Sequence, residues 1–290
     1  MNWVPLLFID DVCHRLPSSA LKPVREFSGS WSKFGSKHGA KRQEFSFRCR
    51  VSIQEVNYGF WEPDRTNLLK VTVADLNLEF DRITSVVFDS LLPMHQRVSL
   101  REFERDILPT IAPLVTNCRW QSMYKLYRES KDQNRILFNA FKNCPGFRDI
   151  TVKEQGQEAR DFVARQVKLG NVQTLTLLGT DRWPEAENLG ETLKIFVSSA
   201  RFHALISRDP LRDHYEVFEF FLERALAKEL KPGAYIITAA TNFDKTRLLA
   251  LRPDCRHNSV KDAWQIRDSD LRIALRHRVA GILKIIMKVE

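Results

Sequence analysis

The sequence predicts an α/β fold, with a short helical module (residues 1–40) ahead of an irregular, repeat-like α/β domain (residues 41–290). Three observations predict it. Apolar residues recur three and four apart over residues 4–31, the spacing that lines one face of a helix. Apolar and polar residues then alternate strictly from Phe45 to Ile53, as a half-buried strand requires. From residue 80 onward, short strand-like runs and amphipathic helical stripes succeed one another.

The opening module reads as two short helices. Val4-Pro5 starts the first, in which Phe8, Val12 and Leu16 fall four apart. Pro17-Ser18-Ser19 predicts a turn, with Ser19 as the N-cap of the next helix. Leu21, Val24, Phe27 and Trp31 continue at spacings of three, three and four. Each helix is too short to be stable alone, so both need a surface to lie against. That surface is either the chain's own main domain or another molecule.

Strands are expected over residues 45–90. Phe45, Phe47, Cys49, Val51 and Ile53 form one face, and Leu69, Val71 and Val73 repeat the alternation, followed by Leu76 and Leu78. Beyond these, Ile83-x-x-Val86-x-Phe88 recurs as Phe147-x-x-Ile150-x-Val152 and Val172-x-x-Leu175-x-Leu177. Weaker copies start at Trp120, Phe202 and Ala234, with leading positions 25 to 37 residues apart. Helical stripes stand between them: Ile136, Leu137, Ala140 and Phe141; Phe162, Val163, Gln166 and Val167; Leu193, Phe196 and Val197. The longest is Val217, Phe218, Phe221, Leu222, Ala225 and Leu226. A helix followed by a strand with apolar first, fourth and sixth positions has the shape of a leucine-rich-repeat-like unit, although the asparagine of that repeat is missing. An ordinary α/β sandwich with alternating helices and strands is the other architecture compatible with the pattern.

The charge balance is basic, with 45 Lys and Arg against 36 Asp and Glu and a net charge of +9. The densest basic stretches are Lys33–Arg50, which interleaves Phe34, Phe45 and Phe47, and Arg267–Arg278, where Arg272, Arg276 and His277 suit a solvated helix face. Stacking of nucleic-acid bases on the first stretch and plain surface charge are the two readings. Five scattered cysteines form no CxxC pair, and the apolar run Val4–Ile9 is too short for an export signal, so the expected location is cytoplasmic or nuclear. No phosphate-binding glycine loop, HExxH or GxSxG occurs. The seven histidines show no metal-ligand spacing, Asp268-x-Asp270 fits the start of a helix, and Ser19-x-x-Lys22 lies in the predicted turn. The expectation is a binding protein that is not an enzyme, with no catalytic, metal or cofactor-binding residues.

The opening module resembles the F-box. The pattern of that family maps without gaps onto Val4-Pro5, Val12, Leu16, Leu21, Val24, Phe27-Ser28 and Trp31, and covers about the first forty residues. The chain departs from it in three places: Val4 stands for the usual Leu, Leu7 for an acidic residue, and Phe27 for an aliphatic one. Pro23 is expected in the first turn of the second helix. The whole chain is also similar to the nematode families of F-box proteins with a divergent F-box-associated region, through segments 193–205 and 217–233. The resemblance implies a substrate-recognition adaptor of an SCF-type ubiquitin ligase within a cullin-RING assembly. Val4, Pro5, Phe8, Val12, Leu16, Leu21, Val24, Phe27 and Trp31 would then dock on a Skp-family adaptor, and the remainder would hold a protein target. The loop with Arg182 and Trp183 is a candidate for target contact, Trp183 being either exposed or a cap on the domain core. The alternative is a basic nucleic-acid-binding or scaffold protein with no ligase role.

Overall fold

The structure is a computed structural model. It describes residues 4–16, 18–52, 54–63, 67–88, 94–122, 131–153, 156–178, 189–210, 215–240, 255–258, 263–266, 271–277 and 283–289. The protein is mixed α/β and divides into two compact units, 1–147 and 148–290, so the boundary expected near residue 40 falls inside the first unit.

Unit 1 opens with three helices, α1 (Leu6–Arg15), α2 (Ser18–Arg25) and α3 (Ser30–Lys41). The second predicted helix is thus two helices. Gly29 adopts φ +68°, a left-handed conformation that glycine enters without a Cβ clash, and turns the chain between them. A Cβ on Gly35 would lie 2.9 Å from Val24 Cγ1 and 3.2 Å from the Arg25 nitrogen, so α2 and α3 touch nearly backbone to backbone there.

The strands β1 (Glu44–Val51) and β2 (Glu55–Trp61) follow, as the alternation requires, with Phe45, Phe47, Cys49 and Val51 buried. Ile53 lies outside the described residues. The strand expected over residues 69–78 stops at β3 (Leu68–Leu69). Thr72 instead offers its N–H and hydroxyl to Asp75 Oδ2, at 2.8 and 2.7 Å, closing a helical turn, and Leu78 stays exposed. Next come β4 (Arg82–Phe88) and β5 (Gln96–Ser99), then a continuous helical run made of α4 (Leu100–Glu102), a π-helical turn (Phe103–Ile107), α5 (Leu108–Ile111) and a 3-10 turn (Ala112–Leu114). β6 (Val115–Ser122) and α6 (Lys131–Phe141) complete the unit. The strand order is β6-β4-β1-β2-β3, with β5 also on β2; β4 is parallel to both β6 and β1, and β2 is antiparallel to β1.

Aromatic rings fill the core of unit 1. Phe47 lies 5.6 Å from Phe60 and stacks on Phe103 at 6.4 Å, while Trp120 meets Phe88, Phe138, Phe141 and Phe147 at 4.9 to 5.8 Å. The buried stripe of α6 is Leu137, Phe138 and Phe141, one position displaced from the predicted Ile136, Leu137, Ala140 and Phe141.

Unit 2 takes up helix–strand alternation. β7 (Phe147–Lys153), α7 (Gln157–Leu169), β8 (Thr174–Leu178), α8 (Leu189–Ser198), β9 (Ala204–Pro210), α9 (Tyr215–Leu226) and β10 (Tyr235–Ala240) run in order. β7 to β10 are sequential, parallel neighbours. The predicted stripes of α7 and α8 are fully buried, as are Ile150, Val152, Val172, Leu175 and Leu177. Leading into and along β10 the buried positions are Ala234, Ile236 and Thr238, a period of two instead of the expected Ala234-x-x-Ile237. Four further strands, β11 (Cys255–Asn258), β12 (Ala263–Ile266), β13 (Leu271–His277) and β14 (Leu283–Val289), extend the sheet past β10 with antiparallel pairing. The basic stretch with Arg272, Arg276 and His277 is therefore a strand, β13, and not the expected helix: its backbone pairs with β14 along its whole length.

Trp120→Ala removes the ring that joins β4, β6 and α6 in unit 1, and should lower the free energy of unfolding by roughly 3–5 kcal/mol. Urea denaturation followed by far-UV circular dichroism measures this.

Candidate docking surface

Helices α1–α3 form a small head with its own core. Ile9, Cys13, Leu21 and Val24 are buried, and Val4, Leu16, Trp31 and Phe34 pack against them half-exposed. The residues singled out from sequence therefore divide. Leu21 and Val24 are interior; Val4, Val12, Leu16 and Trp31 are half-buried; Pro5, Phe8 and Phe27 face water. The buried residues of α1 are Ile9 and Cys13, one residue round the helix from the expected Phe8 and Val12. That rotation leaves Leu6, Leu7 and Phe8 together at the start of α1 with 57%, 83% and 54% of their surface exposed. Leu6 and Leu7 escaped the sequence reading. Their only signal was adjacency, since three consecutive large apolar residues cannot all enter the narrow stripe that a helix buries.

Local chemistry sets the helix ends. Pro5 precedes α1, and its carbonyl accepts the N–H groups of Phe8 and Ile9 at 3.0 and 3.2 Å. α2 begins at Ser18, whose N–H and hydroxyl both donate to the Glu44 carboxylate. A carboxylate at a helix start is doubly favoured, by hydrogen bonding and by the helix dipole. Ser19, expected as the cap, lies inside the helix. Pro23 consequently falls in the last turn of α2 and not the first. There the ring has no N–H to offer the Ser19 carbonyl four residues back, and α2 ends two residues later at Arg25.

The head is seated on the sheet by two arginines, Arg82 buried and Arg42 half-buried. Arg82, at the start of β4 and 2% exposed, donates through Nε and Nη2 to the His14 carbonyl at 3.1 and 3.0 Å, and through Nη2 to the Glu79 carbonyl at 3.1 Å. Its Nη1 donates to the Asp81 carbonyl. Arg42, just past α3, donates to the carbonyls of Cys13 at 2.8 Å, His14 at 3.1 Å and Leu16. Together they satisfy the unpaired carbonyls at the end of α1 and place positive charge at the negative pole of its dipole. Burial, with Arg42 nearby, pushes Arg82 down to about 10, still fully charged at neutral pH. Asp81 accepts the Gln43 N–H at 3.3 Å and the Asn77 N–H at 2.7 Å, fixing the backbone that presents Arg82.

The outer side of the head carries cations. Lys37 pairs with Glu79 at 2.8 Å, and the ammonium groups of Lys37 and Lys41 each lie 5.1 Å from the centre of the Phe80 ring. Of the aromatics considered for base stacking, Phe45 and Phe47 are 2% and 0% exposed, while Phe34 packs half-buried against the head's core with the Lys37 ammonium 5.9 Å from its ring centre. Arg182, Trp183, Asp268 and Asp270 lie outside the described residues.

Elsewhere in unit 1 a concavity of about 360 Å³ opens between the π-helical turn with α5 and α6, floored by Leu108 and Ile136 and rimmed by Glu104, Arg135 and Asn139. Among the described residues no group of three or more His, Cys, Asp or Glu side chains lies close enough to hold a metal ion. No helix among them is long and apolar enough to cross a membrane.

Arg82→Met removes four hydrogen bonds from a charged donor, two at the His14 carbonyl at the end of α1 and one each at the Glu79 and Asp81 carbonyls. It should destabilise the chain by roughly 3 kcal/mol in chemical denaturation, and Arg82→Lys should recover only part of the loss because an ammonium cannot span the same carbonyls.

No family model matches the chain, and no curated protein or solved structure matches it.

Proposed function

We propose that this chain is the target-recognition subunit of an SCF-type ubiquitin ligase, docking on a Skp-family adaptor through its three-helix head and holding a protein target with the remainder. The observation that carries this reading is the apolar tip of the head. Leu6, Leu7, Phe8 and Phe27 stay exposed although the head has a closed core of its own. Consecutive large apolar side chains exposed outside a satisfied core, as Leu6, Leu7 and Phe8 are, are the usual mark of a protein-binding surface. They fall in the segment whose spacing resembles the F-box, in which Val4, Leu16 and Trp31 pack half-buried against the head's core.

The finer reading of the rest as leucine-rich-repeat-like draws support from β7 to β10, where helix and parallel strand alternate in sequence order. In this reading the protein performs no bond chemistry. It ties a target to the ligase so that target lysines meet ubiquitin-charged enzyme at high effective concentration.

Phe8→Asp and Phe27→Asp alter exposed positions and should leave the circular dichroism spectrum and unfolding midpoint nearly unchanged. Each should weaken binding of the full chain to a purified Skp-family adaptor by roughly 30-fold, since an apolar interface anchor is worth about 2 kcal/mol. Calorimetric titration reads this directly; unaltered affinity in both variants, or no binding by the parent chain, would sink the reading.

A further inference from the structure

The seat under α1 contains two imidazoles among fixed positive charges. His38, on α3, is fully buried. Its Nε2 lies 2.8 Å from Asp10 Oδ1 and its Nδ1 lies 3.5 Å from Arg42 Nη2. A guanidinium can only donate, so Nδ1 is the acceptor, and Nε2 carries the proton that is given to Asp10. The neutral ring thus has both nitrogens in use, and a second proton could enter only at Nδ1, against the Arg42 donor. The His14 ring meets His38 edge-on at 6.2 Å, and the Phe80 ring closes the other side at 5.3 Å. Charged and titratable neighbours come from every element packed here: Asp10 and Cys13 from α1, Lys37 from α3, Arg42 after it, and Glu79, Asp81 and Arg82 from the segment entering β4.

We propose that mild acid unseats the head: protonation of His14 and His38 sets new cations against Arg42 and Arg82, releases the end of α1 from the sheet, and dissolves the ordered Leu6–Phe8 tip. Burial holds the His14 imidazole below its ordinary value, with Arg82, His38 and Arg42 acting in the same direction and the Glu79 backbone against it. For His38, burial outweighs the hydrogen bond and charge of Asp10, and Arg42 and Lys37 add to it. Both shifts are downward, so the opened head binds protons more readily than the seated one. Seating is at full strength above the ordinary histidine value of 6.5 and weakens as pH falls through it toward the lower values of the seated state. One unit below 6.5, each histidine shifts the balance toward the open form by up to about tenfold.

The inference concerns the free chain, and rests on the docking reading only for its consequence, an adaptor-binding surface that is lost in acid. The experiment is hydrogen–deuterium exchange by mass spectrometry on the full chain without any partner, at pH 7.5 and 5.5, with labelling times scaled for the intrinsic pH dependence of exchange. Protection of the α1 amides, residues 6–15, should fall at pH 5.5 relative to α7 of unit 2, by up to about tenfold for each histidine. His38→Gln offers a donor to Asp10 and an acceptor to Arg42 without a titrating group, and should remove much of the acid loss. Should that variant already lose protection at pH 7.5, His14→Gln serves instead and should reduce the acid loss by up to about tenfold. Equal α1 protection at both pH values, or the parent's full acid loss in the serviceable variant, overturns the proposal. Neither outcome bears on whether the head binds an adaptor at neutral pH.

Discussion

The end of α1 lies against a guanidinium, and the seating of the helical head on the sheet depends on that contact. A helix of ten residues is marginal in water, and its last carbonyls have no partners within the helix. Arg82 and Arg42 supply those partners from the sheet and from the end of α3. The arrangement is costly to disturb, because a buried guanidinium that loses its acceptors has no water to replace them. It therefore specifies one position of α1, and through the small core of Ile9, Cys13, Leu21 and Val24 it specifies the positions of α2 and α3. Glu44 at the start of α2 and Asp81 beneath Arg82 extend the same network of charge-assisted bonds from head to sheet.

Fixing α1 at its far end has a consequence at its near end. The rotation that points Ile9 and Cys13 inward turns Leu6, Leu7 and Phe8 toward water. The head is thus two things at once: a closed miniature core and an open apolar tip. The tip carries the functional proposal, and the seat that orients it carries the acid sensitivity. Both depend on the same helix, so a change in seating is felt at the tip without any residue of the tip titrating.

Unit 2 is built on a simpler rule. Each helix buries one stripe, and each parallel strand pairs with the one before it in sequence. Side-by-side parallel pairing demands a crossover, and α7, α8 and α9 supply the crossovers from β7 to β10. Past β10 the pairing changes: β14 lies antiparallel to β10, and β13, β12 and β11 follow it antiparallel in turn.

By itself the sequence determined the elements whose burial is periodic and local. The alternation of β1, the apolar positions of β4, β7 and β8, and the stripes of α7 and α8 are legible because side-chain direction follows the backbone period residue by residue. It also marked residues 4–31 as apolar helices in need of a surface. Only the tertiary structure decided which apolar residues face inward, where α2 begins, and that 271–277 is a strand. In each case the deciding partner is distant in sequence: Glu44 for Ser18, Arg82 for His14 across 68 residues, β14 for β13. A hydrogen-bond donor at that distance leaves no periodicity in the segment that it caps, so a pattern of neighbours could not announce it.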